Sequence, residues 1–391
     1  MPFRFLTLLF LLLPCLAQAA DAPVRIGLDA EFGHKTSTSD DAIKLGMEIA
    51  IDEINAKSGV LGGRKLELVI RDNRSVPARG LDNFRELAAL PDLVAVIGGK
   101  FSPVLLAQLP LAHELKLPLL TPWSAADGII DHGQRPSYTF RLSVRDGWVM
   151  PYLFREAERR GISRVALFLP NGAWGRSNEE SANRHIQKDG KVKLAAVQRY
   201  EWTDLDYADD YQVIRASGAQ AILFVGNEAE GARLVMHMAS MPKEQRLPIL
   251  SHWGLSGGDF FGLAGPSLFE VDLSIVQSFS FLDPLNERGK VLLAEAMKRK
   301  AIADPARILS PVGIAHAYDL THLLAQAIDQ ARSTDRSKVR NALENLGSHQ
   351  GVIRKYAQPF TAENHEALDA GFLFTARWGK DGSLARIARR P

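Results

Sequence analysis

Along the chain, short continuous apolar runs alternate with longer stretches whose apolar residues recur every three to four positions. The first run, VRIGLDA (24–30), reads as a buried strand. In DDAIKLGMEIAIDEINAKSG (40–59), Ile43, Met47, Ile51 and Ile54 fall on one helical face. Thr38 or Ser39 can cap that helix, and Gly59 sits where its C-terminal turn ends. KLELVIRDN (65–73), LVAVIGG (93–99) and LPLLTP (117–122) predict further strands. Between them, helices are predicted around ARGLDNFRELAAL and from Ser102, with Ser102 as N-cap and Pro103 at the first helical position.

The alternation restarts after YTFRLSVRDG (138–147). A helix over WVMPYLFREAERRG leads to strand RVALFLP (164–170), then to a helix from about Ser177. Strands VKLAAVQRY, AQAILFVG (219–226) and LPIL (247–250) follow, separated by helical patterns. Two β-α series with buried strands predict an α/β chain with two open parallel sheets. Right-handed crossovers place helices on both faces of each sheet.

Ligands bind such sheets outside the carboxyl ends of the strands. The loops to watch are therefore DAEFGHKTSTS, GGKFS, TPWSAAD, LPNGAWGRS, VGNEAEG and SHWGLSGG. Phe32, Phe101, Trp123, Trp174 and Trp253 all fall in them. A single such aromatic is as readily a cap over the local core as a ligand wall. Their recurrence at strand ends in both halves favours an aromatic-lined pocket.

The two ends and the composition narrow the class. Arg4, the apolar run 5–13 and Ala17-Gln18-Ala19 read as a secretory signal, with cleavage expected near Ala19, so the chain is expected to be exported. The apolar run is too short to span a bilayer. Cys15 is the only cysteine, and Pro14 stands where a lipoprotein signal has a small residue, so lipidation is not expected. A chain cut there has neither disulfide nor thiolate chemistry. Removing residues 1–19 takes Arg4 and no acid, so the net charge falls from +2 to +1. That balance points away from a nucleic-acid partner. The scattered histidines lack metal-ligand spacing, and no metal or cofactor is expected.

SHWGLSGG contains Gly254-Leu255-Ser256-Gly257-Gly258, which fits the Gly-x-Ser-x-Gly elbow of serine hydrolases. Asp319 and His316 follow, but no His-Gly-Gly segment precedes it, and LPIL is the last strand of its series. Ser256 therefore reads as a loop or N-cap residue, with a hydrolase as the remote alternative. The pattern alone does not make the chain an enzyme.

IDEINAKSGVLGGRKLELVIRDN (51–73) resembles the hallmark segment of type I periplasmic solute-binding proteins of the leucine/isoleucine/valine-binding class. The likeness continues through VIGGKFSP, LPLLTP, YTFRLSVRD, AWGRS and AYDLTHLLAQAI (317–328), across essentially the whole chain after residue 19. The resemblance implies two Rossmann-like lobes joined by three crossing strands, with the ligand between them. It implies lobe 1 from 20–142 plus 278–366 and lobe 2 from 143–277 plus 367–391, re-entered through GFLFTARW. It also implies a monomer that docks on an ABC-type permease, although a sensor that reports to a membrane receptor would share the fold.

By the resemblance, Ser102 matches the serine that holds a ligand carboxylate. The helix start there also offers N–H donors to an anion, and Lys100 can add charge. Trp253 stands at or beside the acid that pairs with a ligand ammonium. Trp123, Ser124 and Ala125 replace small residues and a threonine. Ser39 and Trp174 stand where tyrosines are frequent. Asn227 and Glu228 lie in the VGNEAEG loop, and Glu228 leaves an amine possible. The expected ligand is a small organic anion with a flat or apolar body, with a quaternary ammonium compound as the second class because Trp faces attract such cations.

Overall fold

The computed structural model describes residues 22–33 and 37–387; the signal segment, Cys15 and residues 34–36 lie outside them. In the first lobe, β1 (Val24–Ala30), α1 (Ser39–Ala56), β2 (Leu66–Asp72), α2 (Pro77–Ala88), β3 (Leu93–Gly98), α3 (Ser102–Glu114), β4 (Leu119–Thr121) and β5 (Thr139–Arg141) follow in turn. The five strands form a parallel sheet in the order β2-β1-β3-β4-β5. β1 lies inside the sheet between β2 and β3, with Ile26 paired to Leu68 on one side and Ala95 on the other. β1 and β3 are covered on both faces, which is why their sequences are nearly unbroken apolar runs.

The chain then builds α4 (Asp146–Arg159), β6 (Arg164–Pro170), α5 (Ala173–Asp189), β7 (Lys193–Tyr200), α6 (Ala208–Ala216), β8 (Ala221–Phe224), α7 (Glu228–Ala239), β9 (Ile249–Ser251), α8 (Phe260–Ala264) and β10 (Leu273–Gln277). It returns to the first lobe as α9 (Glu287–Lys300), α10 (Pro311–Ala331) and α11 (Arg336–Glu344), with α10 packed along α1. A hairpin of β11 (His349–Gln350) and β12 (Lys355–Tyr356) follows. Finally β13 (Phe374–Trp378) and β14 (Leu384–Arg386) join the second sheet, ordered β14-β13-β10-β9-β8-β6-β7. β13 and β14 run antiparallel at its edge; β6 to β10 are parallel.

Both β-α series read along the sequence are present, and GFLFTARW supplies β13 of the second sheet. Two helix starts differ. α3 begins at Ser102 itself, with Phe101 at the cap position and no side-chain cap bond, because the Ser102 hydroxyl turns away to accept from Ala126 N at 3.3 Å. α5 begins at Ala173, four residues before Ser177. Gly175 permits this early turn, since any Cβ there would strike the Pro170 carbonyl.

The three crossings between lobes are irregular segments with bends and turns, not a ladder of strands. The first and third touch where Arg141 N donates to His365 O at 2.9 Å and Ala367 N donates to Arg141 O at 2.8 Å. Buried Arg141 forms a two-point ion pair with Glu366, at 2.8 Å through Nε and 2.6 Å through Nη2. Its Nη1 also donates to Ser124 O at 3.2 Å and Ala126 O at 2.9 Å, tying the crossing to the TPWSAAD loop.

Candidate ligand-binding cleft

The carboxyl ends of both sheets face each other, and their loops meet in a seam. Backbone groups close one side: Thr38 N donates to Gly257 O at 2.9 Å, and Ser37 bridges Gly258. Thr38 Oγ1 and Ser310 Oγ lie 3.0 Å apart, and Ser310 Oγ donates to Ser256 O at 3.2 Å. On the other side, Asp127 of the first lobe pairs with Arg184 of α5 at 2.6 Å. A small cavity of about 10 Å³ lies in the seam, lined by Lys100, Phe101, Ser102, Trp123, Ala125, Trp174, Asn227 and Trp253.

All eight are residues singled out from the sequence. They arrive from strand-end loops of both lobes: after β3, after β4, at the start of α5, after β8 and after β9. Trp123 and Trp253 meet across the seam with ring centroids 5.1 Å apart and planes tilted by 33°. Trp253 is only 1 % exposed. Phe101 meets Trp202, an aromatic that sequence reasoning passed over, edge-on at 5.8 Å. Ser124 is buried but serves the loop, donating to Gly99 O at 2.8 Å. Ser39 and Glu228 start α1 and α7 and are buried beside Gly257.

The charges at the seam are not those of a simple anion clamp. Burial works against the Lys100 ammonium, but Glu228, Asp40 and Glu31 outweigh it and raise its pKa. Lys100 Nζ reaches Ser37 Oγ and lies 3.5 Å from Glu31. Asp40 is pushed up to about 6 by burial, although Lys100, Glu31 N at 2.8 Å and Lys100 N at 2.7 Å favour its charged form. Lys100 is thus a cation already balanced by acids, which the sequence reading did not foresee.

A second unforeseen network holds the Trp walls. Asp146 Oδ1 accepts from Trp174 Nε1 at 3.2 Å and from His252 Nε2 at 3.1 Å. His252 Nδ1 accepts from Trp253 N at 2.9 Å, which leaves the proton on Nε2 for Asp146. Burial raises the Asp146 pKa against the opposing His252 hydrogen bond. The His-Trp pair in SHWGL and the Asp in VRDG were visible signals, but nothing local joins them.

The hydrolase elements are separated. Ser256 lies inside a short 3-10 turn (Trp253–Gly257); its hydroxyl donates to Trp253 O at 2.8 Å and accepts from Gln277 Nε2 at 2.9 Å. His316 lies 3.0 Å from Pro122 O through Nδ1 and 3.1 Å from Ser278 Oγ through Nε2. Burial pushes its pKa down to about 4. Asp319 accepts from Val352 N at 2.7 Å, Ile353 N at 3.1 Å and the Tyr356 hydroxyl at 2.8 Å. Neither Ser256–His316 nor His316–Asp319 is a hydrogen-bonded pair among the described residues.

Two doubly wound lobes, with facing strand ends that enclose an aromatic seam, define a two-lobed solute-binding protein. The chain belongs to the periplasmic binding protein family, which it matches over residues 23–383; these are the solute-binding proteins of ABC transporters. It is 24% identical to Leu/Ile/Val-binding protein homolog 3 of Brucella melitensis over 82% of this chain and 83% of that one. Its fold is similar to that of a branched-chain amino acid transporter substrate-binding protein from Streptococcus pneumoniae in complex with isoleucine. The TM-score is 0.77 at 20% identity, covering 94% of this chain and 100% of that one. It is equally similar to an ABC transporter solute-binding protein from R. palustris in complex with 4-hydroxybenzoate. There the TM-score is 0.77 at 18% identity, covering 94% of this chain and 96% of that one. Among the described residues no helix is long and apolar enough to cross a membrane.

Proposed function

We propose that this chain is an exported solute-binding protein, cut near Ala19, that delivers a small flat organic carboxylate to an ABC-type permease. In this reading it acts as a monomer without catalytic activity. Its lobes, 20–142 with 278–366 and 143–277 with 367–391, close on the solute. The observation that carries the ligand class is the seam itself. Trp123, Trp174, Trp253 and Phe101 wall a cavity whose polar members include Lys100 and Ser102. The Ser102 hydroxyl accepts from Ala126 N, so its own proton remains available to a carboxylate. Trp253, at or beside the position of the ammonium-binding acid in amino-acid binders, offers a π face instead.

The relatives support the same class. One structural neighbour holds an aliphatic amino acid and another an aromatic acid, and both ligands present a carboxylate. The seam in its present form admits about one water-sized group. A ring stacked on both sides needs about 7–8 Å between its walls, since carbon contacts are about 3.5–4 Å each. The solute therefore enters while Trp123 and Trp253 stand apart, and the lobes then close on it.

A thermal-shift screen of the secreted protein tests the reading, because a ligand that binds the folded state raises the melting temperature. Benzoates should stabilise it more than leucine, isoleucine, valine or betaines at equal concentration. Stabilisation by the aliphatic amino acids alone would overturn the proposal.

A further inference from the structure

Among the buried polar atoms at the seam that make no hydrogen bond are Ser39 Oγ in the first lobe and Glu228 Oε2 in the second. Their residues are 0% and 4% exposed. Both atoms face one spot. A methyl group built on Gly257 would lie 3.2 Å from Glu228 Oε2, 3.6 Å from Ser39 Oγ and 3.6 Å from the Trp123 ring. Glycine leaves that spot open. Lys100 balances the Glu228 charge from a distance, while its ammonium is directed to Ser37 and Glu31. A carboxylate oxygen enclosed without a donor is unfavourable, and a donor delivered to it gains a charge-assisted hydrogen bond.

Resting on the carboxylate reading above, we infer that the solute carries a hydrogen-bond donor besides its carboxylate, a ring hydroxyl or amino group, held by Glu228 Oε2 and Ser39 Oγ at the open side of Gly257. The solute is then a hydroxylated or aminated aromatic acid, not a plain one. Trp123 borders both this spot and the main cavity, so one flat molecule can touch the Trp wall and the donor site together.

The test is calorimetric titration of benzoate, 4-methoxybenzoate, 3- and 4-hydroxybenzoate and 4-aminobenzoate into the full secreted chain. At least one donor-bearing benzoate should bind roughly ten- to a hundredfold tighter than benzoate, the range of one charge-assisted hydrogen bond. Glu228→Gln, Ser39→Ala and Gly257→Ala should each shrink that ratio by about fivefold or more. The ratio is read within one protein, so it is insensitive to a general loss of stability. Equal binding of benzoate and every donor-bearing analogue, with Trp253→Ala weakening all of them, would mean that water alone fills the spot; the inference falls and the carboxylate reading stands. Failure of every benzoate to bind overturns both.

Discussion

Trp253→Ala is the perturbation that bears most directly on the cleft. The indole is 1% exposed, lies 5.1 Å from Trp123 and 5.7 Å from His316, and starts the turn that follows β9. A flat solute stacked on one indole face covers roughly 80 Å² of it, which at about 25 cal/mol/Å² contributes about 2 kcal/mol. Stacking geometry adds about 0.5–1.5 kcal/mol. The expected loss is therefore about 2.5–3.5 kcal/mol, or roughly a hundredfold in affinity.

Stability must be measured separately, since removing a buried Trp costs about 3–5 kcal/mol where the site cannot collapse. Calorimetric titration with the benzoate giving the largest thermal shift reads the affinity, and urea unfolding without ligand reads the stability. Trp253→Phe keeps a π face and should stay within about tenfold of the parent. Trp253→Glu restores an acid and should weaken the aromatic acid while admitting an amino acid. Unchanged affinity in Trp253→Ala, with the expected stability loss, would make Trp253 a plug over the core. The argument from its face to the ligand would then fail.

Three further outcomes are expected. Ser102→Ala should weaken carboxylate binding about ten- to a hundredfold through one lost charge-assisted hydrogen bond; titration of the parent and variant with the same benzoate checks it. Glu366→Ala leaves Arg141 buried without its counter-ion and should cost about 3–5 kcal/mol in urea unfolding, whereas a cost below 1 kcal/mol would mean that water replaces the pair. Burial raises the Asp29 pKa to about 6 from 3.8, against hydrogen bonds from Asn83 at 2.7 Å and Gln108 at 2.5 Å. Because the folded-state value is the higher, its stabilising contribution is complete below pH 3.8 and is lost as pH rises through 6. Asp29→Asn should therefore gain on the parent by on the order of 3 kcal/mol between pH 3.5 and 7, and a pH-independent difference in melting profiles would refute this.

Much of the fold is local information, and local information was readable. The face formed by Ile43, Met47, Ile51 and Ile54 and the unbroken run of β3 report burial within one element, so periodicity finds them. The cleft loops follow from strand polarity alone. What escaped depends on partners far along the chain. Asp146 and His252 are 106 residues apart, and Arg141 and Glu366 are 225 apart. Neither pair leaves a spacing to read. Lys100 looked like a free cation because Glu31, Asp40 and Glu228 surround it only after three loops converge. Ser102 looked like a cap because N-cap preference is statistical, whereas its hydroxyl is claimed by the Ala126 amide.

The long-range contacts also tie the two Trp walls of the cleft to each other. Asp146 N donates to Ala125 O at 2.9 Å, joining the start of α4 in the second lobe to the TPWSAAD loop of the first. The same residue holds Trp174 through its indole and Trp253 through His252. Arg141 grips that loop from the other side through Ser124 O and Ala126 O, and ties it to the third crossing through Glu366. Ala125 and its neighbours are thus held between two buried ionisable residues that flank the first crossing. Parting Trp123 from Trp253 acts on Trp123 within this held loop and on Trp253 at the end of the Asp146–His252 chain. Buried hydrogen-bonded groups do not stretch gradually, since partial separation leaves them unsatisfied. The first and third crossings carry such bonds themselves, through Arg141 with Glu366, His365 and Ala367, so parting the walls requires this buried network to move together or to break.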